Sequence, residues 1–367
     1  KKPRRDPMRE RLGYLLAALC IGLAASQPAG AQGAWRSLMQ EADILYRHGQ
    51  YDRAAAVATQ ALGVAERDLG PGHPDVATSL NLLALVYEAK GEPRAAEPLL
   101  RRSLAIVEGS LGPEHHSVGL ALGNLAELYQ AQGRYAEAES LYQRALDTVE
   151  RVLGANHPNV ATALNNLASL HQAQGRFSAA EPLYERALAI RESALGPYSS
   201  AVAASLNNLA ALHRARGRYA AAEPLYKRSL AIAEKGFGPN DPGVVVALNN
   251  LAELYGAQGQ FAAAEALHQR ALGIVENALG PEHPDADQSV IYLAELYQAQ
   301  GRFTAAEDFY KRSLALREKY LGADHRLVAS ALESLARLYA SMGLPEDAKR
   351  LADRAAGIRA RLQRAPR

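Results

Sequence analysis

Fifteen glycines decide what this chain can fold into. One series falls at 70, 112, 154, 196, 238, 280 and 322, and a second at 49, 91, 133, 175, 217, 259, 301 and 343. Both advance by 42 residues with no insertion between Gly49 and Gly343. The text between them recurs as well: Leu164-Asn165-Asn166-Leu167-Ala168 returns as Leu206-Asn207-Asn208-Leu209-Ala210 and as Leu248-Asn249-Asn250-Leu251-Ala252. Such a chain repeats one supersecondary unit, and the repeat governs how every other motif is read. Eight units follow, at about 35–70, 76–112, 118–154, 160–196, 202–238, 244–280, 286–322 and 328–362.

Each unit reads as two antiparallel helices. Apolar residues at 160, 161, 163, 164, 167, 168 and 170 have helical spacing and no strand-like alternation. Gly175 interrupts them, and a second helical pattern runs through Ala180, Leu183, Tyr184, Ala187, Leu188 and Ile190 to Leu195. Gly196 suits a left-handed C-terminal residue, and Pro197 forbids resumption. In Gly280-Pro281-Glu282-His283-Pro284-Asp285, Pro284 fits the first position of the next helix and Asp285 its positive end. Pro98, Pro182 and Pro224 share one phase of the second helix, where each deletes a hydrogen bond. A start near residue 178 would bring Pro182 to the edge of the first turn. A lone hairpin cannot bury its apolar stripes, but stacked hairpins share a core. The expected fold class is therefore all-α, a solenoid of about eight helix-turn-helix repeats over residues 32–367. The atypical first unit and the charged final helix, Pro345 to Leu362, read as end caps.

The segment before the repeats has its own pattern. Lys1, Lys2, Arg4, Arg5, Arg9 and Arg11 precede an apolar run from Leu12 to Ala25, and then Ala29-Gly30-Ala31. A positive flank, a short apolar core and an A-x-A site make a secretory signal peptide, so cleavage after Ala31 is expected. The remaining chain would work in the periplasm or be secreted; an uncleaved N-terminal anchor is the alternative. An apolar run of 14 residues falls short of the ~20 that span a bilayer, so no stable membrane insertion of the mature chain is expected. The single cysteine, Cys20, lies in this segment, which excludes a disulfide framework.

Charge and motifs narrow the function. With 41 basic and 39 acidic residues, and no basic block beyond the first dozen positions, the chain has no electrostatic footprint for nucleic acid. His73, His115, His157, His283 and His325 recur by 42 residues. Ligands of one ion must lie within about 2–2.6 Å of it, whereas successive hairpins stand roughly 20 Å apart. A role at helix starts is expected instead of a metal site. His171 and His213 stand where other units carry tyrosine and read as packed side chains. Acidic residues such as Glu181 and Glu185, near Arg186, read as surface ion pairs with partners three or four residues away. There is no G-x-S-x-G, H-E-x-x-H or glycine-rich phosphate loop, so no catalytic residue, metal or cofactor is expected.

The string Leu-Asn-Asn-Leu-Ala … Leu-Tyr … Gly-Arg-Tyr … Ala-Glu … Leu-Tyr … Arg-Ala-Leu … Leu-Gly … His-Pro resembles the tetratricopeptide repeat. Its 42-residue period is similar to the kinesin light chain subtype, over residues 35–362. The resemblance implies a right-handed superhelix whose first helices line a concave groove for extended peptides. It implies no motor-associated role, because the chain lacks the long heptad coiled coil of that family.

Within the first helices, Asn124, Asn166, Asn208 and Asn250 recur one repeat apart, accompanied by Asn81, Asn165, Asn207 and Asn249. A helical asparagine costs propensity relative to alanine, so its recurrence calls for a gain elsewhere. An amide both donates and accepts, and a row of amides could pair with the backbone of an extended peptide. This is similar to the asparagine ladder of the kinesin light chain groove. Hydrogen bonding between neighbouring hairpins is the other reading. At the ladder position Leu82 precedes the row, and Tyr292 and Ser334 follow it. Glu127, Glu253 and Glu295, one turn on, would make a mildly acidic rim, offset in part by Arg214 and Arg337. The function expected is a non-enzymatic scaffold that binds an extended segment of a protein partner. The alternative is a structural, self-associating component of an envelope assembly without a linear ligand.

Overall fold

The computed structural model describes residues 29–364, all of them in consecutive helix-turn-helix repeats that form two compact units divided after Ala155. The expected signal segment, up to residue 28, lies outside the described residues. The first unit contains α1 (Ala29–Arg47), α2 (Tyr51–Leu69), α3 (Pro74–Lys90), α4 (Pro93–Leu111), α5 (His116–Ala131) and α6 (Tyr135–Leu153). The second contains α7 (Pro158–Ala173), α8 (Phe177–Leu195), α9 (Ser200–Ala215), α10 (Tyr219–Phe237), α11 (Val245–Ala257) and α12 (Phe261–Leu279). It continues with α13 (Ala286–Ala299), α14 (Phe303–Leu321), α15 (Arg326–Ser341) and α16 (Pro345–Arg364). Among the described residues there is no strand, and no helix is long and apolar enough to cross a membrane.

The helix ends follow from the repeated text. At the 42-residue position held by five histidines, Nδ1 of His73, His115, His157, His283 and His325 accepts the backbone N–H two residues on, at 3.1–3.2 Å. Ser199 and Asp241 occupy the same position in the other two linkers and accept through their side-chain oxygens at 3.3 and 2.8 Å. Each therefore satisfies an N–H that the helix start leaves unpaired. Pro74 and Pro158 open their helices, but α13 begins at Ala286, so Pro284, expected at its first position, and Asp285 stand before it. The glycines between hairpins also differ from expectation. Gly196 has φ 80° and ψ 159°, a region essentially reserved for glycine, whereas the left-handed helical conformation belongs to the turn inside a hairpin, as at Gly91. Helix α8 starts at Phe177, so Pro182 is its sixth residue and lies in the second turn, beyond the expected first-turn edge.

Packing repeats along with the sequence. Ala168, Ala180, Tyr184, Leu209 and Leu212 form one buried cluster, and Ala210, Ala211, Ala222, Tyr226, Leu251 and Leu254 form the next. In each, leucines of a first helix enter a slot lined by alanines and a tyrosine of the preceding hairpin. Leu212 and Leu254 are fully buried, and each contributes about 1.5–3 kcal/mol on the transfer scale.

In the second unit α7 touches α9, α9 touches α11 and α11 touches α13, while successive second helices make no comparable approach. The first helices therefore lie on the inner side of the stack. The second helices are joined by long side chains: Arg228 with Glu192 at 2.6 Å, Arg270 with Glu234 at 2.8 Å and Arg312 with Glu276 at 2.5 Å. Glu181, expected to pair three or four residues away, is bound instead by Arg216 and Arg218 of the following hairpin. A 42-residue period places equivalent side chains beside one another in space, so cross-hairpin partners compete with those on the same helix. These pairs are partly exposed, worth about 0–1 kcal/mol each, and fix hairpin register more than they add stability.

Candidate functional site

The two asparagine series divide by a single residue's rotation on the helix. Asn165 is buried; its Nδ2 donates to the Ala161 carbonyl at 2.8 Å and its Oδ1 accepts from Asn208 Nδ2 at 3.2 Å. Asn249 is likewise buried and engaged: its Nδ2 donates to Ser289 Oγ at 3.2 Å, and its Oδ1 faces His268 Nδ1 at 2.9 Å. Both amides are therefore engaged within the protein, Asn165 with its own helix and α9, and Asn249 with α12 and α13. Asn207 is half-buried, with an Oδ1 that is inaccessible and has no hydrogen-bond partner.

The row one residue on behaves differently. Asn166 and Asn208 are half-buried and Asn250 is buried, on α7, α9 and α11 in turn. Among the described residues the side chain of Asn166 has no hydrogen-bond partner, and Asn208 makes only the bond to Asn165. Neither carries a sealed, unsatisfied atom. Both polar atoms of the Asn166 amide and the side-chain carbonyl of Asn208 thus reach solvent from a partly dry position. Beside them Ser169, Ala173, Ala215, Ala257 and Ala299 are exposed, which leaves a shallow strip of small side chains along the inner helices.

Tyr292 takes the next place in this row and stacks on His268, with ring centroids 5.1 Å apart and planes 24° apart. Of the expected acidic rim, Glu253 is paired with Arg214 at 2.9 Å, and Glu295 is exposed. Arg214 and Glu253 lie on successive first helices, so this pair neutralises the middle of the strip. The remaining predicted residues belong to the first unit: Asn81 is buried with an unpartnered Oδ1, and Asn124 and Glu127 are half-buried on α5. Asn124, like Asn166, has no side-chain hydrogen-bond partner among the described residues.

His268 is the residue that pattern reading missed. It sits in α12 where four other second helices place Tyr142, Tyr184, Tyr226 and Tyr310, and that substitution was the available signal. Because Asn249 Nδ2 is committed to Ser289, the Asn249 oxygen accepts from the His268 Nδ1–H. Burial drives the imidazole pKa down to about 4, against a weaker upward pull from Glu253. His213 is also lowered by burial, with Glu181 opposing. These are packed, neutral rings. No group of three or more His, Cys, Asp or Glu among the described residues is arranged to hold a metal ion.

The tetratricopeptide repeat family profile matches residues 36–109, 117–193, 201–277, 247–289 and 285–361. A kinesin light chain-like protein of Podosopora anserina, described by its nearly identical TPR-like repeats, is 29% identical, covers 56% of this chain and 98% of its own, and has a TM-score of 0.47. The apo form of the quorum sensor NprR of B. thuringiensis is 13% identical over 95% of this chain and 92% of its own, with a TM-score of 0.60. A Rap protein complexed with Competence and Sporulation Factor is 16% identical over 90% of this chain and 98% of its own, with a TM-score of 0.50. The last two share the fold. No curated protein sequence matches the chain.

Proposed function

The chain belongs to the tetratricopeptide repeat family, and on that premise we propose that it is a non-enzymatic scaffold whose inner face holds an extended segment of a protein partner. The observation that carries this reading is the half-buried row on α7 and α9, where Asn166 and Asn208 keep amide atoms that no other described residue satisfies. A partly desolvated donor and acceptor with no internal partner gain more from an external backbone than a fully hydrated pair would. The small side chains beside them let a main chain approach. Paired charges on the middle of the strip favour recognition through backbone hydrogen bonds over recognition through ligand charge. The Rap protein, complexed with Competence and Sporulation Factor, supports the reading only in that an array of this fold carries a ligand. The basic, apolar and small-residue order of residues 1–31 supports action outside the cytoplasm once that segment is removed.

Asn166→Ala is the clean test, because this side chain has no hydrogen bond to lose among the described residues. Peptides selected on the wild-type chain from a displayed library of random decapeptides should bind the variant about 2- to 13-fold more weakly, one charge-free hydrogen-bonded pair in a half-dry site being worth about 0.5–1.5 kcal/mol. Helicity and Tm should stay unchanged. Selected peptides that bind both proteins equally would remove the inner row from the account.

A further inference from the structure

The two ends of the array break the packing rule that its middle obeys. At an internal junction Leu251 and Leu254 of α11 pack with Ala210 and Ala211 of α9 and with Ala222 and Tyr226 of α10. The equivalents of Leu254 are Val86, Leu128, Leu170, Leu212, Leu296 and Leu338, all buried. In α1 that position is Ile44, which is 54% exposed. The equivalents of Leu251 are also buried leucines throughout, from Leu83 to Leu335, but in α1 the residue is Glu41, exposed. Helix α1 thus presents an aliphatic knob and a carboxylate on the face that every later first helix buries.

The opposite end carries the matching half. Forty-two-residue steps from Ala210, Ala211, Ala222 and Tyr226 lead to Ala336, Arg337, Ala348 and Ala352. These four line an open hollow of about 420 Å³ between α15 and α16, together with Glu333, Ala340 and Lys349. Alanine at 352 in place of the usual aromatic ring enlarges the slot. Arg337 is the sole cation at its repeat position, where the other units have Asp43, Leu85, Glu127, Ser169, Ala211, Glu253 and Glu295. Glu41 is the sole acid at its own position. Glu333 is already bound by Arg359, whereas Arg337 has no ion pair among the described residues and donates a hydrogen bond to Ser334 at 2.9 Å.

We propose that α1 of a second copy of this chain docks in the slot between α15 and α16, so that copies associate head to tail. In the register of the internal junctions Ile44 enters the hollow against Ala348 and Ala352, and Glu41 meets Arg337. Shape and charge agree in one register, which a chance pair of exposed faces would not provide. The contact is weaker than an internal junction for an identifiable reason. Inside the array a second-helix carboxylate is held by the next hairpin, as Glu97 is by Tyr129 at 3.1 Å and Arg134 at 3.0 Å. At the ends Lys349 replaces that carboxylate, and Leu45 and Gln50 replace the tyrosine and arginine. Association is therefore reversible, and because the two faces differ, a docked copy still presents α1 or the slot to the next.

Sedimentation equilibrium of the full chain over a concentration series tests this. The mean mass should rise continuously above the 39.4 kDa protomer. Ile44→Glu and Arg337→Glu should each hold the chain at protomer mass with unchanged helicity. An equimolar mixture of the two should stop at dimers, since one supplies only an intact slot and the other only an intact α1. Combining Glu41→Arg with Arg337→Glu should restore growth. A wild-type chain that stays at protomer mass up to ~100 μM, a mixture that grows past dimers, or an Ile44→Glu chain that associates like the wild type would overturn the proposal.

Discussion

Titration of His268 probes the junction of α11, α12 and α13, where a dry aromatic environment and a committed asparagine meet. The folded chain prefers the neutral imidazole: burial lowers its pKa to about 4, from the ordinary 6.5. Above pH 6.5 folded and unfolded states both hold it neutral, and it contributes nothing to pH dependence. Between 6.5 and 4 the unfolded chain takes up a proton that the folded junction refuses, so stability falls by about 1.4 kcal/mol per pH unit. Below pH 4 both states are protonated, and the full loss is about 3 kcal/mol. The Nδ1–H bond to Asn249 survives protonation at Nε2, so the loss is one of desolvation and not of hydrogen bonding. Proton–carbon NMR of the histidine rings, assigned with His268→Tyr, measures it directly. The His268 midpoint should fall near pH 4, and His268→Tyr should unfold less steeply between pH 6.5 and 4.5 than the wild type. A midpoint at or above 6 would refute the dry junction.

Two glycines inside helices should respond oppositely to alanine. A Cβ at Gly119 would lie 2.5 Å from Val149 Cγ1 and 3.2 Å from the Ala145 carbonyl, so Gly119→Ala should lower stability by about 1–3 kcal/mol. At Gly63 a Cβ meets nothing within 4 Å, and Gly63→Ala should raise stability by about 0.5–1 kcal/mol in the same denaturant titration. Replacing the cap His157 by Ala should cost about 0.5–2 kcal/mol and speed hydrogen exchange at the Asn159 amide. His157→Ser should recover most of the loss, as Ser199 does the same work one unit on.

The hairpins were legible because a 42-residue glycine register and 3.6-residue apolar spacing are properties of the chain alone. The recurrent histidines were legible as helix starts for a related reason, since spacing excluded a shared ion. What the sequence left open depends on geometry between units. Asn165 and Asn166 are adjacent and chemically identical, and only the roughly 100° between successive side chains sends one into the junction and leaves the other facing solvent. Glu181 reads as a same-helix partner until the next hairpin brings Arg216 and Arg218 alongside. His268 passed unnoticed because its meaning lies in the tyrosine it replaces, and its low pKa comes from burial at a junction that only the stacked hairpins create.

Photocrosslinking tests the central claim, that ligands lie along the first helices. A benzoylphenylalanine at Ala215, exposed on α9, is compared with one at Ala231, exposed on α10, using a selected peptide as the probe. Capture from Ala215 alone is the result this account predicts; capture from Ala231 alone, or equally from both, would contradict it.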